Sequence, residues 1–259
     1  MNSNKHVNGS DAPSALTFWN VDEPDDQLLP IMAHELRQPL NAILMALDLL
    51  HDESSRDSSA REAREIAQHQ ALHMSRIIDD MLDSFSAGHG RLTLNIAPVD
   101  LSAIVNDVIK STRLACASRR HRISVSLPRQ PVSLVADPSR LVQILTNLLT
   151  NAAKYTDPGG HICVTTALSS DSVVIRVRDN GRGISPELLP RIFDLYQRGS
   201  HQRERGLGLG LTLVKSLMEL HGGSVVAHSQ GAGMGSEFIV RLPVGACYPP
   251  LSSPALGAD

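Results

Sequence analysis

An imidazole beside a carboxylate is the first pairing along the chain with chemistry to offer: His34 and Glu35, within Ala33-His34-Glu35-Leu36-Arg37-Gln38-Pro39-Leu40. Neutral imidazole is a phosphoryl acceptor at physiological pH, and a neighbouring carboxylate can hold the proton of one ring nitrogen while the other keeps its lone pair. Farther along, Asn147, Asn151 and Lys154 recur at steps of four and three, so one helix face presents two amides and an ammonium. An amide oxygen is a suitable hard ligand for Mg²⁺, and lysine supplies a point charge for phosphates. Asp179-Asn180-Gly181-Arg182-Gly183 follows a strand-like run. Its carboxylate can accept from the exocyclic amine of adenine, and Gly181 and Gly183 let the backbone come close to a base. Gly206-Leu207-Gly208-Leu209-Gly210-Leu211 opens a further helical pattern, whose free amides and dipole suit an anion.

These groups need two different supports. Leu36, Leu40, Ile43, Leu47 and Leu50 alternate steps of four and three, the seam of a helix that packs on other helices. The spacing predicts a helix from about Asp26 to His51, with Leu36 and Leu40 buried and His34 exposed just outside the seam. Pro39 withholds a donor from the Glu35 carbonyl and should kink this helix beside His34. After a polar turn over 52–59, Ala67, Ala71, Met74, Ile78, Met81 and Phe85 repeat the spacing to about Ala87; His69 and His73 read as packing or surface residues. Two such helices make an antiparallel hairpin that cannot bury both seams alone, and pairing with a second copy into a four-helix bundle solves this.

Gly88-His89-Gly90 marks a boundary, after which helix and strand patterns mix. Strands are expected at 92–96, 123–127, 132–136, 161–167, 173–178, 225–229 and 237–242. Helices are expected from an Asp100 cap to Ser118, from Asp137-Pro138 to Tyr155, at 186–193 and over 209–221. Residues 1–25 read as a flexible lead-in and 245–259 as a flexible tail.

Composition excludes several classes. A net charge of −3 with 20% charged and 42% apolar residues gives no basic excess for binding a nucleic acid. The short cluster Arg119-Arg120-His121-Arg122 reads as a solvated helix end. Cys116, Cys163 and Cys247 have no metal-ligand spacing and suit a reducing compartment. No apolar run approaches a membrane span and no signal pattern opens the chain, so it reads as cytoplasmic, without membrane contact of its own.

Singly, the glycine motifs are unspecific. Gly206–Leu211 passes for a dinucleotide fingerprint until its context is considered, for it follows a polar segment and not a strand. The order amide helix, strand-Asp-Gly-x-Gly, Gly-x-Gly-x-Gly helix is far more specific. Together with the His34 hairpin, it resembles the transmitter core of bacterial sensor histidine kinases over roughly residues 26–244. The resemblance implies a dimerisation and phosphoacceptor hairpin (26–88) forming a dimeric four-helix bundle. An α/β sandwich follows (89–244) that binds ATP under a mobile lid, of the fold shared with gyrase, MutL-type proteins and large heat-shock chaperones. It further implies that His34 is the phosphoacceptor and Glu35 its acid-base neighbour. Asn151 corresponds to the Mg²⁺ ligand, with Asn147 and Lys154 on the phosphates and Tyr155 near the nucleotide. Asp179 corresponds to the adenine-reading carboxylate, with Gly181 and Gly183 beside it. Phe193 and Tyr196 match the segment anchoring the lid, Arg198 its phosphate-facing arginine, and Gly206, Gly208 and Gly210 the last loop. Gln38 stands where many relatives carry Thr or Asn, a residue associated with dephosphorylating the partner.

The superfamily's hydrolases place a glutamate four residues before the metal-binding asparagine. Asn147 stands there, and an amide cannot take a proton from water. The expectation is therefore a homodimeric kinase that passes the γ-phosphate of Mg²⁺-ATP to His34, and from there to an aspartate on a response regulator receiver domain. A dimeric adaptor that docks a regulator without using ATP would need neither the amide face nor the glycine loops. An ATP-hydrolysing relative would need a base at Asn147 and would leave the hairpin unexplained.

Overall fold

The computed structural model describes residues 28–51, 57–88, 91–194 and 208–244. The expected lead-in, most of the polar turn, His89-Gly90, the lid segment 195–207 and the tail lie outside the described residues. Two long helices come first, α1 (Leu28–His51) and α2 (Asp57–Gly88). Helix α1 runs on through Pro39. The pair packs as a hairpin, but the side chains between them are mostly small: Pro39 and Ala46 of α1 and Ala63 of α2 are buried. Leu40, by contrast, is 44% exposed, which corrects the expectation that it is buried. Leu36 of the same seam packs on Ile77 and Met81 of α2, whereas Leu40 and Leu47 turn outward.

The remainder alternates helix and strand. β1 (Ala97–Asp100) leads into α3 (Leu101–Ser118), followed by β2 (Arg122–Ser126), β3 (Ser133–Ala136) and α4 (Pro138–Tyr155). After these come β4 (His161–Leu168), β5 (Ser172–Asp179), α5 (Gly210–Leu220), β6 (Ser224–His228) and β7 (Ser236–Pro243). Five strands form one mixed sheet in the order β2-β4-β5-β7-β6, with β2 parallel to β4 and the other pairs antiparallel. β1 and β3 make a separate antiparallel ribbon. Helices pack on the sheet face carrying Ile162, Val164, Ile175, Val177, Phe238 and Val240, all buried with Leu148, Leu149, Leu213 and Leu217 in one apolar cluster. Each such Leu withdrawn from water contributes about 1.5–3 kcal/mol.

Two expected elements are absent from their places. Residues 92–96 are not a strand: Leu92 is buried, but the Asn95 N–H donates to the Asp137 carboxylate at 2.8 Å, and pairing with β3 begins only at Ala97. Over 186–193 the helix shrinks to a single 3₁₀ turn, Leu189–Arg191, within successive turns such as Arg191 N–H to Leu188 C=O at 2.9 Å. Pro190 has no N–H to give, which disfavours an α-helical turn through it, and here no flanking helix is long enough to override that cost as α1 does at Pro39.

Candidate functional site

Helix α4 is the spine of the site. Its first turn is fixed by Asp137, whose carboxylate accepts from the N–H groups of Ser139 (2.9 Å), Arg140 (3.1 Å) and Asn95 (2.8 Å). Burial works against that charge, but the three backbone donors and the Arg140 guanidinium outweigh it and hold the carboxyl below its ordinary range. Pro138 takes the position where a missing donor costs nothing. The inward residues Leu141, Ile144, Leu145, Leu148, Leu149 and Ala152 are buried. That leaves Asn147, Asn151 and Lys154 half-buried on the same side of the helix.

Both glycine segments meet this spine, one at its middle and one at its C-terminal end. A Cβ on Gly210, the first residue of α5, would lie 3.5 Å from the Asn147 amide carbon. α5 has no side-chain cap, so its first N–H groups remain available to an anion. At the C-terminal end of α4, a Cβ on Gly181 would fall 2.3 Å from the Tyr155 carbonyl oxygen, and the Arg182 N–H donates to that same oxygen at 3.0 Å. Gly183, at φ +70°, would meet the Gly231 carbonyl in the β6–β7 turn. The close approach expected between these two glycines and a base is thus, in the structure, an approach to the chain itself. It binds the Asp179 loop to Tyr155 and to the β6–β7 turn.

Asp179 ends β5 and is only 5% exposed. Its Oδ1 accepts from the Gly181 N–H at 2.8 Å and its Oδ2 from the Ser236 hydroxyl. Each carboxylate oxygen has a second lone pair, so the anchored group retains capacity to accept from a ligand amine. Asn147 Nδ2 is buried with no hydrogen-bond partner among the described residues, leaving a donor to be satisfied. The Lys154 ammonium lies 4.8 Å from the Tyr155 ring centroid, a cation–π contact that holds both near the Asp179 loop.

Several supports were not legible as such. Arg119 turns onto the end of α4, its Nη1 donating to the carbonyls of Lys154 (2.8 Å) and Ala153 (3.3 Å). This corrects the reading of the arginine cluster as merely a solvated end. Ser236 on Asp179 is a second case, and His221, whose Nε2 accepts from the Asp137 N–H at 3.1 Å, a third. All act across long sequence separations, where no local pattern signals them.

On the hairpin, His34 lies in α1, but its side chain, and hence its expected exposure, is outside what the structure describes. Glu35 is buried, at 7% exposure. Met32 and Leu36, on either side of His34, pack with Ile77 and Met81 of α2 around Leu209, the residue before α5. The structure therefore seats the glycine-opened helix against the turn that bears His34. Tyr196, Arg198 and Gly206 lie outside the described residues, while Gly208 is described, at φ +71°.

Comparison with known proteins agrees on both halves. A family model described as His Kinase A (phospho-acceptor) domain matches residues 25–90. One described as histidine kinase-, DNA gyrase B-, and HSP90-like ATPase matches residues 136–246. The histidine protein kinase DivJ of Caulobacter vibrioides is 36% identical over 222 residues, covering 84% of this chain and 37% of DivJ. The adaptive-response sensory kinase SasA of Synechococcus elongatus is 31% identical over 229 residues, 85% of this chain and 59% of SasA. The chain thus spans less than two thirds of the length of these relatives. Among solved structures, full-length ShkA in complex with AMPPNP is 27% identical, with a TM-score of 0.64, over 86% of this chain and 47% of that one. ThkA in complex with the response regulator protein TrrA shares the fold at 19% identity and a TM-score of 0.60, over 85% of this chain and 62% of that one.

Proposed function

Because the chain belongs to the sensor histidine kinases, as their transmitter core, we propose that it binds Mg²⁺-ATP on the face of α4, phosphorylates its own His34 and passes the phosphoryl group to an aspartate of a response regulator receiver domain. The observation that carries the nucleotide half is the convergence on α4: the anchored Asp179 carboxylate beside its C-terminal end, the orphaned Asn147 donor and the uncapped start of α5 at its middle. The donor set fits the ligand from end to end. Asp179 takes the base amine, Tyr155 lies near the nucleotide, and Asn147 and Lys154 with the Gly208-Leu209-Gly210 backbone take phosphate oxygens. Asn151 would hold the Mg²⁺ through its amide oxygen. The ion would neutralise phosphate charge. Arg198 and Gly206 are assigned to the phosphate side of the same site, Gly181 and Gly183 to the base side.

His34 attacks the γ-phosphorus in line; the new N–P bond forms as the bond to the ADP oxygen breaks, and Glu35 takes or stabilises the imidazole proton. Asn147 cannot act as a base toward water, which favours transfer to a histidine over hydrolysis. Among the described residues no helix is long and apolar enough to cross a membrane, and a cytoplasmic site of action suits the proposed ATP and regulator partners.

The domain limits we assign are 26–88 for the hairpin and 89–244 for the nucleotide domain, between a lead-in (1–25) and a tail (245–259). The hairpin pairs with a second copy through the leucine flank. Leu40, Leu44, Leu47, Leu72, Ile78 and Leu82 are all exposed in the single chain, a face too apolar for solvent alone. Incubation with Mg²⁺ and γ-labelled ATP tests the assignment: label should appear on the chain as an acid-labile, base-stable adduct. Free phosphate released without a labelled chain would favour the hydrolase reading instead.

A further inference from the structure

The far end of α2 touches the nucleotide domain through charges that the transfer reaction does not use. Arg140 of α4 donates from Nη1 to Asp83 of α2 and, at 2.9 Å, to the Gln143 amide oxygen. The Gln143 amide nitrogen in turn donates to Asp83 at 2.8 Å and Asp80 at 3.2 Å. The side chains of Arg140 and Asp83 are only 25% and 17% exposed, so this is no loose surface pair. A cleft of about 510 Å³ runs beside the clamp, lined by Arg76, Asp79, Asp80 and Asp83 on one side and by Gln143 and Asn147 on the other. The apolar contact of Leu209 with Met32, Leu36, Ile77 and Met81 closes the same interface from the α5 side.

The charges at this seat oppose transfer from it. Asn147 belongs both to the nucleotide face of α4 and to the cleft, so phosphates placed against it would look onto three carboxylates of α2, with Arg76 and Arg140 as the cations lining that cleft. Leu209 does reach Met32 and Leu36 beside His34, but the charged clamp ties α4 to α2 alone. We propose that Asp80, Asp83, Arg140 and Gln143 form a proton-sensitive latch that parks the nucleotide domain on α2 and releases it when Asp80 ionises. This rests on the kinase reading above and adds its regulation.

The direction follows from the surroundings of Asp80. Burial, chiefly, pushes its pKa up to about 6 from 3.8; Asp83 and Asp79 add to the rise, while the Gln143 hydrogen bond and Arg76 oppose it. Parking therefore takes up a proton that the released domain gives back to solvent. The parked state is favoured at low pH and loses that advantage as pH climbs from about 4 through about 6.

The full chain is assayed with Mg²⁺ and γ-labelled ATP for initial rates of His34 labelling between pH 5.5 and 8, with small-angle scattering on the same samples. Asp83→Ala and Arg140→Ala should raise the rate at pH 5.5, below the parked pKa of Asp80, roughly threefold or more by emptying the parked population, and the swap Asp83→Arg with Arg140→Asp should bring it back toward wild type. Asp80→Asn, fixed in the uncharged form, should lower the rate at pH 7.5 and keep the molecule compact at pH 8, where wild type expands. Slower labelling in Asp83→Ala with nucleotide affinity unchanged would make the clamp the transferring pose and overturn the latch. Rates within error of wild type in both alanine variants would overturn it too. A wild-type chain that never labels would sink the kinase reading instead; the latch then stands or falls on whether scattering still shows pH-dependent expansion that Asp80→Asn abolishes.

Discussion

Helices α1 and α2 leave Leu44, Met45, Leu49 and Leu72 more than half exposed, while α4 and α5 bury Leu148, Leu213, Val214 and Leu217 to zero exposure. Both regions are built from amphipathic helices, so the difference is not one of pattern. It lies in what each helix finds to cover it. In the nucleotide domain the five-stranded sheet supplies an apolar face, and the chain closes its own core. The outward leucines of the hairpin meet no such layer among the described residues, and we propose that a second copy covers them. On that reading the described residues of the proposed nucleotide site come from one chain, whereas the His34 stalk would be covered by a neighbour. This separation allows binding and transfer to be broken independently.

The largest break is at the stalk. His34→Gln keeps a polar side chain of similar reach and removes the phosphoryl acceptor, so acid-labile labelling should fall to background while nucleotide still raises the melting temperature. Label retained at that level of substitution would place the acceptor elsewhere. The reciprocal break is Asp179→Asn in the nucleotide domain. It leaves one oxygen for the Gly181 N–H but removes the charge that a base amine would meet, and it turns a donor toward Ser236. A charge-assisted hydrogen bond of about 1.5–3 kcal/mol corresponds to roughly a 10- to 150-fold weaker nucleotide affinity, readable by titration calorimetry. Unchanged affinity would remove Asp179 from the base-binding role.

Paired leucine truncations sharpen the contrast. Leu148→Ala, in the closed core, should lower unfolding stability by about 2–5 kcal/mol. Leu44→Ala, at 51% exposure, should leave the nucleotide domain's melting unchanged and instead shift self-association, by up to about 1.5–3 kcal/mol for each copy's leucine. Sedimentation across a concentration series reads the second effect. An equal loss of nucleotide-domain stability in both variants would mean that the two regions fold as one.

What could be read from the sequence divides along the same line. Helix limits followed from local signals: Asp100 and Asp137 cap α3 and α4 as their types and positions suggested, with Asp100 accepting from the Ser102 N–H at 2.8 Å. That Asn147, Asp179 and Gly210 belong together was legible from the order of the three segments, since the glycine motifs taken singly are unspecific. What could not be read depended on partners distant in the chain. Residues 92–96 alternate like a strand, yet their backbone is claimed by Asp137 and the pairing partner of β3 starts one residue later. Leu40 and Pro39 are neighbours in the sequence, and nothing in their spacing said which flank would face α2 and which a second copy. The Asp80–Gln143 and Asp83–Arg140 contacts join residues about sixty positions apart, with no periodicity to announce them.

The smallest expected effect concerns how firmly the spine of the site is held. Asp137→Ala removes the cap that three backbone N–H groups share, at a cost of about 0.5–2 kcal/mol for a lost N-cap. Because the native carboxyl titrates below its ordinary 3.8, its contribution is fully present at neutral pH and fades as pH falls below that value toward the native pKa. The stability gap between wild type and Asp137→Ala, measured by urea unfolding, should thus be constant from pH 7 down to about 5 and narrow below 4. A gap that widened with acid would remove the Asp137 carboxylate from its role as the cap of α4.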